Sequence, residues 1–327
     1  MALALGLVVA TPLAAQHACP SPEAAGARRL PAVFDEGRVL LAPTDARGDT
    51  TLFILDSGGG FNAMSGIRLT QLGLTGTLEG TGADTGTVVP IAAFGDSMQL
   101  PVPVAGYPEH GMLAVTNSLR NVTSEYAAPT WGFLGEGWWA DRVWRIDYLH
   151  RELWLYPRSV LTSSGSGSVR SHDVPLHFLT QDGRRPTNFA RFRAVMDGDS
   201  LNLLWDTGAT TQFTDSALAV IDDHGPSGRA GSFVSSEIFA RWHSRHPEWR
   251  VIEHGETSGA ALIEVPRMDV AGYTIGPVWW ERRDSSDFHH LMDPLMDQPI
   301  QGSLGGAAFR YFTITIDYPN AMACFQR

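Results

Sequence analysis

Gly48-Asp49-Thr50-Thr51-Leu52-Phe53-Ile54-Leu55-Asp56-Ser57-Gly58 is answered later in the chain by Gly198-Asp199-Ser200-Leu201-Asn202-Leu203-Leu204-Trp205-Asp206-Thr207-Gly208. Each copy reads as a Gly-Asp turn, an apolar run of strand length, and then Asp-Ser/Thr-Gly. A carboxylate at the end of a buried strand is costly to desolvate unless something uses it. Two of them in matched settings point to a pair of carboxylates brought together.

Two further blocks recur in the same order. Val89-Pro90 through Pro101-Val102 returns as Val265-Pro266 through Pro277-Val278. Gly132-Phe133-Leu134-Gly135, followed by Ile146-Asp147-Tyr148, returns as Gly302-Ser303-Leu304-Gly305, followed by Ile316-Asp317-Tyr318. Ordered repeats at changing offsets predict an internal duplication with insertions between the blocks. Residues 30–160 form the first half, 161–170 a linker carrying Ser163-Ser164-Gly165-Ser166-Gly167-Ser168, and 171–327 the second half. Within them the pattern predicts a first strand over 33–41, a short helix near 67–72, and β structure with hairpin turns over 78–104. A strand is expected over 153–156, and a hairpin turning at Asp197-Gly198-Asp199. Residues 235–250 read as a helical insertion without a counterpart in the first half.

Composition sets the class. A hydrophobic content of 43% with 18% charged residues is that of a folded globular chain, and 34 Gly with 20 Pro favour the many turns of an all-β protein. A net charge of −11 argues against nucleic acid and anionic membrane surfaces as partners. Residues 1–15 are apolar and end in Pro12-Leu13-Ala14-Ala15, as in a secretory signal, without its usual positively charged start. No later run approaches the length of a membrane span. A secreted or periplasmic location is therefore expected. There the only two cysteines, Cys19 and Cys324, could tie the ends of the chain together, the other reading being two free thiols.

Asp84-Thr85-Gly86 matches the short pattern a third time, but the preceding Gly80-Thr81-Gly82-Ala83 cannot be a buried strand. The spacing of the Val-Pro blocks aligns it with Ala260-Ala261-Leu262, so both stretches read as exposed hairpin tips. Asp56 and Asp206 differ because each follows an apolar strand and precedes a later Leu-Gly block in its own half. On these residues the chain resembles the two-lobed aspartic proteases, the pepsin-like and retropepsin-like group, over residues 33–325. The Ile-Asp-Tyr after each Leu-Gly block is similar to bacterial retropepsin-like members. The resemblance implies an all-β, duplicated bilobal fold with a few short helices and a polypeptide-binding cleft between the lobes. It makes Asp56 and Asp206 catalytic, with Ser57, Gly58, Thr207, Gly208 and Thr210 supporting them and Gly82, Ala83, Asp84, Thr85 and Gly86 as the flap. It implies no metal or cofactor, and a monomer suffices because both aspartates lie in one chain.

The chemistry stands beside the resemblance. Amide hydrolysis by water needs a base for the water proton and an acid for the carbonyl oxygen or leaving nitrogen. Two adjacent carboxyls share one proton and supply both, titrating as a pair, which places the activity at acidic or mildly acidic pH. The first loop departs from the family: Gly59-Gly60-Phe61-Asn62 stands where Ala209-Thr210-Thr211 follows the second aspartate, so a hydroxyl expected beside Asp56 is missing. Residues 78–90 also lack the tyrosine of a pepsin-like flap. Retropepsin-like relatives do without that tyrosine, so its absence bears on substrate enclosure and not on chemistry. The loop departure at Gly59 to Asn62 favours the alternative of an inactive, protease-fold binding or inhibitor-like protein.

Other signals point elsewhere. Phe94-Gly95-Asp96-Ser97-Met98, with Asp287 and His290 at Asp-x-x-His spacing, resembles the GDSL (SGNH-type) esterases, with Ser97 as nucleophile. Alignment of Gly95-Asp96-Ser97 with Ala271-Gly272-Tyr273 explains it as a hairpin turn, and no Gly-x-Asn-Asp block lies between. His243, His246 and His254, with His289 and His290, fit no zinc spacing. Asp147 and Asp317 read as turn-bonding residues at strand ends, and most of the 10 Trp as core, one or two of them lining a cleft.

Overall fold

Apolar runs in this chain become strands buried on both faces, as Leu52-Phe53-Ile54-Leu55 does in β4 (Leu52–Leu55). The computed structural model describes residues 19–45, 47–79, 86–90, 112–116, 130–161 and 172–327. The expected leader at 1–15, the expected flap residues 82–85, Ser97 and the expected Ser/Gly linker lie outside the described residues. No helix among the described residues is long and apolar enough to cross a membrane.

The described chain is predominantly β, in several sheets with few short helices. An eight-stranded sheet from the first half runs β2 (Ala32–Asp35), β3 (Arg38–Leu41), β4, β9 (Thr130–Leu134), β5 (Ala63–Ser65), β8 (Met112–Thr116), β7 (Gly86–Pro90), β6 (Thr77–Glu79). A nine-stranded sheet from the second runs β21 (Tyr273–Ile275), β20 (Met268–Val270), β13 (Arg191–Met196), β14 (Asp199–Trp205), β23 (Gly302–Leu304), β17 (Phe233–Ser235), β22 (Val278–Arg283), β19 (Leu262–Val265), β18 (Val251–Ile252). The pairing repeats from one sheet to the other. β4 runs parallel to β9, with Ile54 beside Phe133, and β14 runs parallel to β23, with Leu204 beside Ser303. β5 lies antiparallel to β9 as β17 does to β23.

Two readings of the sequence need correction. Residues 33–41 are not one strand: Glu36 (φ 47°) and Gly37 (φ 83°) turn β2 into β3. The same turn chemistry at Asp197 (φ 51°) and Gly198 (φ 77°) joins β13 to β14. The helical stretch near 235–250 does have a counterpart. α1 (Gly66–Gln71) follows β5 as α4 (Ser236–Arg245) follows β17. The second-half helix is longer, and it buries Ile238, Phe239 and Trp242 along one face. The segment without a first-half equivalent in this order is instead β15 (Thr210–Gln212), α3 (Asp215–Ile221) and β16 (Gly228–Ala230). The second half also carries a π-helical turn at Asp287–Met292.

The halves meet in a six-stranded sheet ordered β1 (Arg28–Leu30), β11 (Glu152–Tyr156), β10 (Val143–Asp147), β24 (Thr313–Asp317), β25 (Met322–Gln326), β12 (Asp173–Pro175). At its centre β10 and β24 are antiparallel, and Arg145 sits opposite Thr315, its own counterpart in the repeat. The junction is therefore a local twofold. Short helices α2 (Glu136–Trp139) and α5 (Gly306–Phe309) follow the two Leu-Gly blocks and seal the core from above. There Trp138 stacks on Trp144 at 4.5 Å, and Phe309 on Trp205 at 4.1 Å.

Cys19 and Cys324 are disulfide-bonded across 305 residues, buried with Leu161 and Met322. Closing so long a loop restricts the unfolded chain strongly. Replacing both cysteines by alanine should lower the unfolding free energy by about 5 kcal/mol in the chain-entropy picture. Denaturant midpoints that coincide for the two proteins would remove that role.

Candidate active site

β4 and β14 each end on an aspartate whose backbone continues the strand pairing. Asp56 N–H donates to Leu134 O at 3.0 Å, and Asp206 N–H to Leu304 O at 3.1 Å. The next residues lock the loops to each other. Ser57 Oγ donates to Trp205 O (2.8 Å) and Thr207 Oγ1 to Leu55 O (2.6 Å). The N–H groups return the bonds, Ser57 to Thr207 Oγ1 (3.1 Å) and Thr207 to Ser57 Oγ (3.0 Å). Four reciprocal bonds in a buried place fix one loop against the other.

The glycines after them let the carboxyls in. A Cβ on Gly58 would lie 2.7 Å from Asp206 Cγ, and one on Gly208 2.3 Å from Asp56 Cγ. Each carboxyl thus packs on the opposite loop at a distance only glycine allows. Gly58 N–H donates to Asp56 Oδ1 (3.0 Å) and Gly208 N–H to Asp206 Oδ1 (3.2 Å). Thr210 Oγ1 donates to Gly208 O at 3.1 Å, supporting the second loop from behind.

The electrostatics of the pair are unequal. Burial, then the charge of Asp206, pushes the Asp56 carboxyl up to about 8, against the pull of the Gly58 and Gly59 N–H groups. Burial also raises Asp206, but more groups stabilise its charged form: the Ser303 hydroxyl beside it, the Gly208 and Ala209 N–H groups, and the Asp56 carboxyl. Ser303 Oγ sits near enough to act on that charge while falling outside hydrogen-bond geometry. Both carboxyls are raised and titrate as one pair, and the Ser303 hydroxyl beside Asp206, which has no equivalent beside Asp56, favours the charge on Asp206.

Both carboxyls open on one cavity of about 360 Å³. Its walls are apolar: Ile54, Phe61 and Phe133 from the first half, Phe233 from the second. Phe61 packs edge-on against Phe133 at 4.7 Å and is 57% exposed. Sequence reading missed these phenylalanines and the role of Ser303. The only sequence hint was that Phe133 and Ser303 occupy the same place in the two Leu-Gly blocks. It also missed that Asn62 Oδ1 accepts from Gly135 N–H (2.9 Å) as Ser232 Oγ does from Gly305 N–H (3.2 Å).

Other candidates lie elsewhere. Gly86 opens β7, its partners in the flap being outside the described residues. Asp147 accepts from His150 N–H (2.9 Å), and Asp317 from Val160 and Leu161 N–H (2.8 and 3.0 Å), each holding a turn. His246 is held by Asp197 (2.7 Å) and Glu248 (3.0 Å), and His254 by Gly259 O. His289 meets Asp293. Among the described residues no three His, Cys, Asp or Glu converge on a point. Trp279 lines a separate cavity away from the two aspartates. Compared with protein-family models and with curated proteins, the chain matches none.

The cross-bonds make a direct forecast. Thr207→Val leaves Leu55 O and Ser57 N–H buried without partners, so stability should fall by about 2–4 kcal/mol. Thr207→Ser keeps the hydroxyl and should fall by under about 1 kcal/mol. Equal losses in chemical denaturation would mean that the hydroxyl is not the link.

Proposed function

We propose that this chain is an aspartic endopeptidase of the pepsin-like and retropepsin-like group, a duplicated two-lobed protein that hydrolyses peptide bonds with Asp56 and Asp206. The observation that carries the reading is a pair of carboxyls from equivalent loops, each packed on the other loop's glycine and opening on one apolar cavity. An extended polypeptide lies across that cavity. Asp206, charged, takes a proton from the attacking water, while Asp56 gives its proton to the scissile carbonyl oxygen. The tetrahedral diol then collapses as Asp206 passes the proton it took to the leaving nitrogen and Asp56 takes a proton back from a diol hydroxyl. The C–N bond breaks, the amine departs and the pair is restored. The Cys19–Cys324 disulfide supports an oxidising, secreted or periplasmic setting.

The inactive reading rested on the missing hydroxyl after Asp56. Against it, Asn62 makes the loop tie that Ser232 makes in the other half, and the reciprocal Ser57–Thr207 bonds are complete. Peptide-library cleavage decides between the two. Asp56→Asn and Asp206→Asn should each lose about 10²–10⁴-fold in kcat/KM; cleavage that survives both changes ends the assignment.

The charge asymmetry places the pH window. The rate should fall at low pH as Asp206 becomes protonated and above about pH 8 as Asp56 loses its proton, reaching further toward neutral than the sequence alone suggested. Stability carries the opposite mark. Asp56 holds a proton in the folded protein at pH values where an unfolded aspartate, near 3.9, has released it, so stability declines as pH rises from about 4 to about 8. Asp56→Asn should therefore gain in Tm relative to the parent at pH 8 and not at pH 4. A constant difference across that range would contradict the raised pKa of Asp56.

A further inference from the structure

The far side of the molecule collects positive charge that its net charge of −11 does not foretell. In the six-stranded sheet Arg28, the first residue of β1, pairs with Leu155 of β11. Val143, which opens β10, pairs with Tyr156, the last residue of β11. Arg142 immediately precedes Val143, and Arg158 follows Tyr156-Pro157. The register therefore gathers three arginines at one end of three adjacent strands. Other arginines of these strands have acids: Arg29 meets Glu152 at 3.2 Å and Arg145 meets Asp147 at 3.9 Å. Among the described residues Arg28, Arg142 and Arg158 form no ion pair with a carboxylate.

A cavity of about 390 Å³ opens there, lined by Arg142, Arg158, Tyr156, Ser159 and Asp141 among others. Arg142 is part-buried, and its Nη1 is sealed from solvent with no hydrogen-bond acceptor. Burial and the neighbouring charge of Arg28 lower its pKa to about 10, the mark of a cation without a counter-charge. Asp141 is the one carboxylate among the lining residues, and Asp317 nearby is already committed to Ser159, Val160 and Leu161. Two lining arginines, with Arg28 beside them, leave the cavity net positive. Nη1 itself is out of reach of the cavity, but an oxyanion there supplies the counter-charge that the guanidinium lacks and is held by the part of Arg142 that lines the cavity.

We infer that this cavity is a binding site for a small oxyanion ligand, a phosphate monoester or a small polycarboxylate, held by Arg142 and Arg158. The site is separate from the paired aspartates and independent of the protease reading. Its place on the sheet that joins the halves lets an occupant act on the junction without entering the cleft.

The full-length protein is titrated with sodium phosphate and, separately, with citrate, at ionic strength held constant with sodium chloride, and Tm is followed. Saturation by one or both ions is expected, with a rise of about 4 °C near a hundredfold excess over Kd. Phosphate alone assigns phosphorylated ligands and citrate alone carboxylates. Arg142→Gln should abolish the response. Arg158→Gln, at an exposed position that leaves the fold intact, should weaken Kd about tenfold or more. Neither ion exceeding chloride, or an unchanged response in Arg158→Gln together with a folded Arg142→Gln, overturns the site.

Discussion

Two buried hydroxyls carry the centre of this protein. Ser57 and Thr207 each reach across to the main chain two residues before the other, so neither loop can shift without breaking bonds in both. The constraint matters because of what it holds. Two carboxyls removed from water and set side by side repel, and each costs several kcal/mol if left charged and unpaired. Sharing one proton removes half of the charge, and the N–H groups of Gly58 and Gly208 offset part of what remains. A flexible junction would let the pair separate and hydrate. The reciprocal bonds make the strained arrangement the resting one.

The same twofold organises the scaffold at larger scale. β10 faces β24 with counterpart residues opposed, and the parallel pairs β4–β9 and β14–β23 deliver the two aspartates from equivalent directions. The halves differ where chemistry requires difference. A dyad with identical surroundings has no preferred place for its proton. Two N–H groups face each carboxyl, Gly58 and Gly59 at Asp56 and Gly208 and Ala209 at Asp206. The difference is Ser303, which stands beside Asp206 where the first half has Phe133. That difference favours the negative charge on Asp206 and the proton on Asp56. Phe133, released from any polar duty, joins Phe61 in the apolar wall.

Much of this was legible in the chain because it is written twice. The matched Asp-Ser/Thr-Gly loops, the Leu-Gly blocks and the hairpin at Asp197-Gly198 are local signals, and repetition in order turned weak motifs into an architecture. The turn at Glu36-Gly37 was not seen because the apolar runs on either side read as one strand, and Glu36, which takes the left-handed conformation together with Gly37, carries no sequence signal for it. The status of α4 was misread for a different reason. The offset between the repeats lengthens across β15, α3 and β16, but a ten-residue amphipathic helix draws the eye more than two short strands do. The arginines at 28, 142 and 158 were beyond sequence reasoning, since only strand register brings them together.

The first loop's departure from its partner is better understood as a packing requirement than as decay. A Cβ at Gly59 would stand 2.7 Å from Asp56 Oδ2, so alanine, which the second loop carries at Ala209, does not fit with the Asp56 carboxyl as it is turned here. Glycine at that position and the orientation of Asp56 are therefore one choice. In the second loop the Thr210 hydroxyl bonds Gly208 O, so what the first loop lacks is a tie to its own main chain. A loop drifting free of function would have no reason to keep Asn62 buried and bonded to Gly135. The asymmetry is what two carboxyls need if one is to stay an acid near neutral pH while the other stays a base.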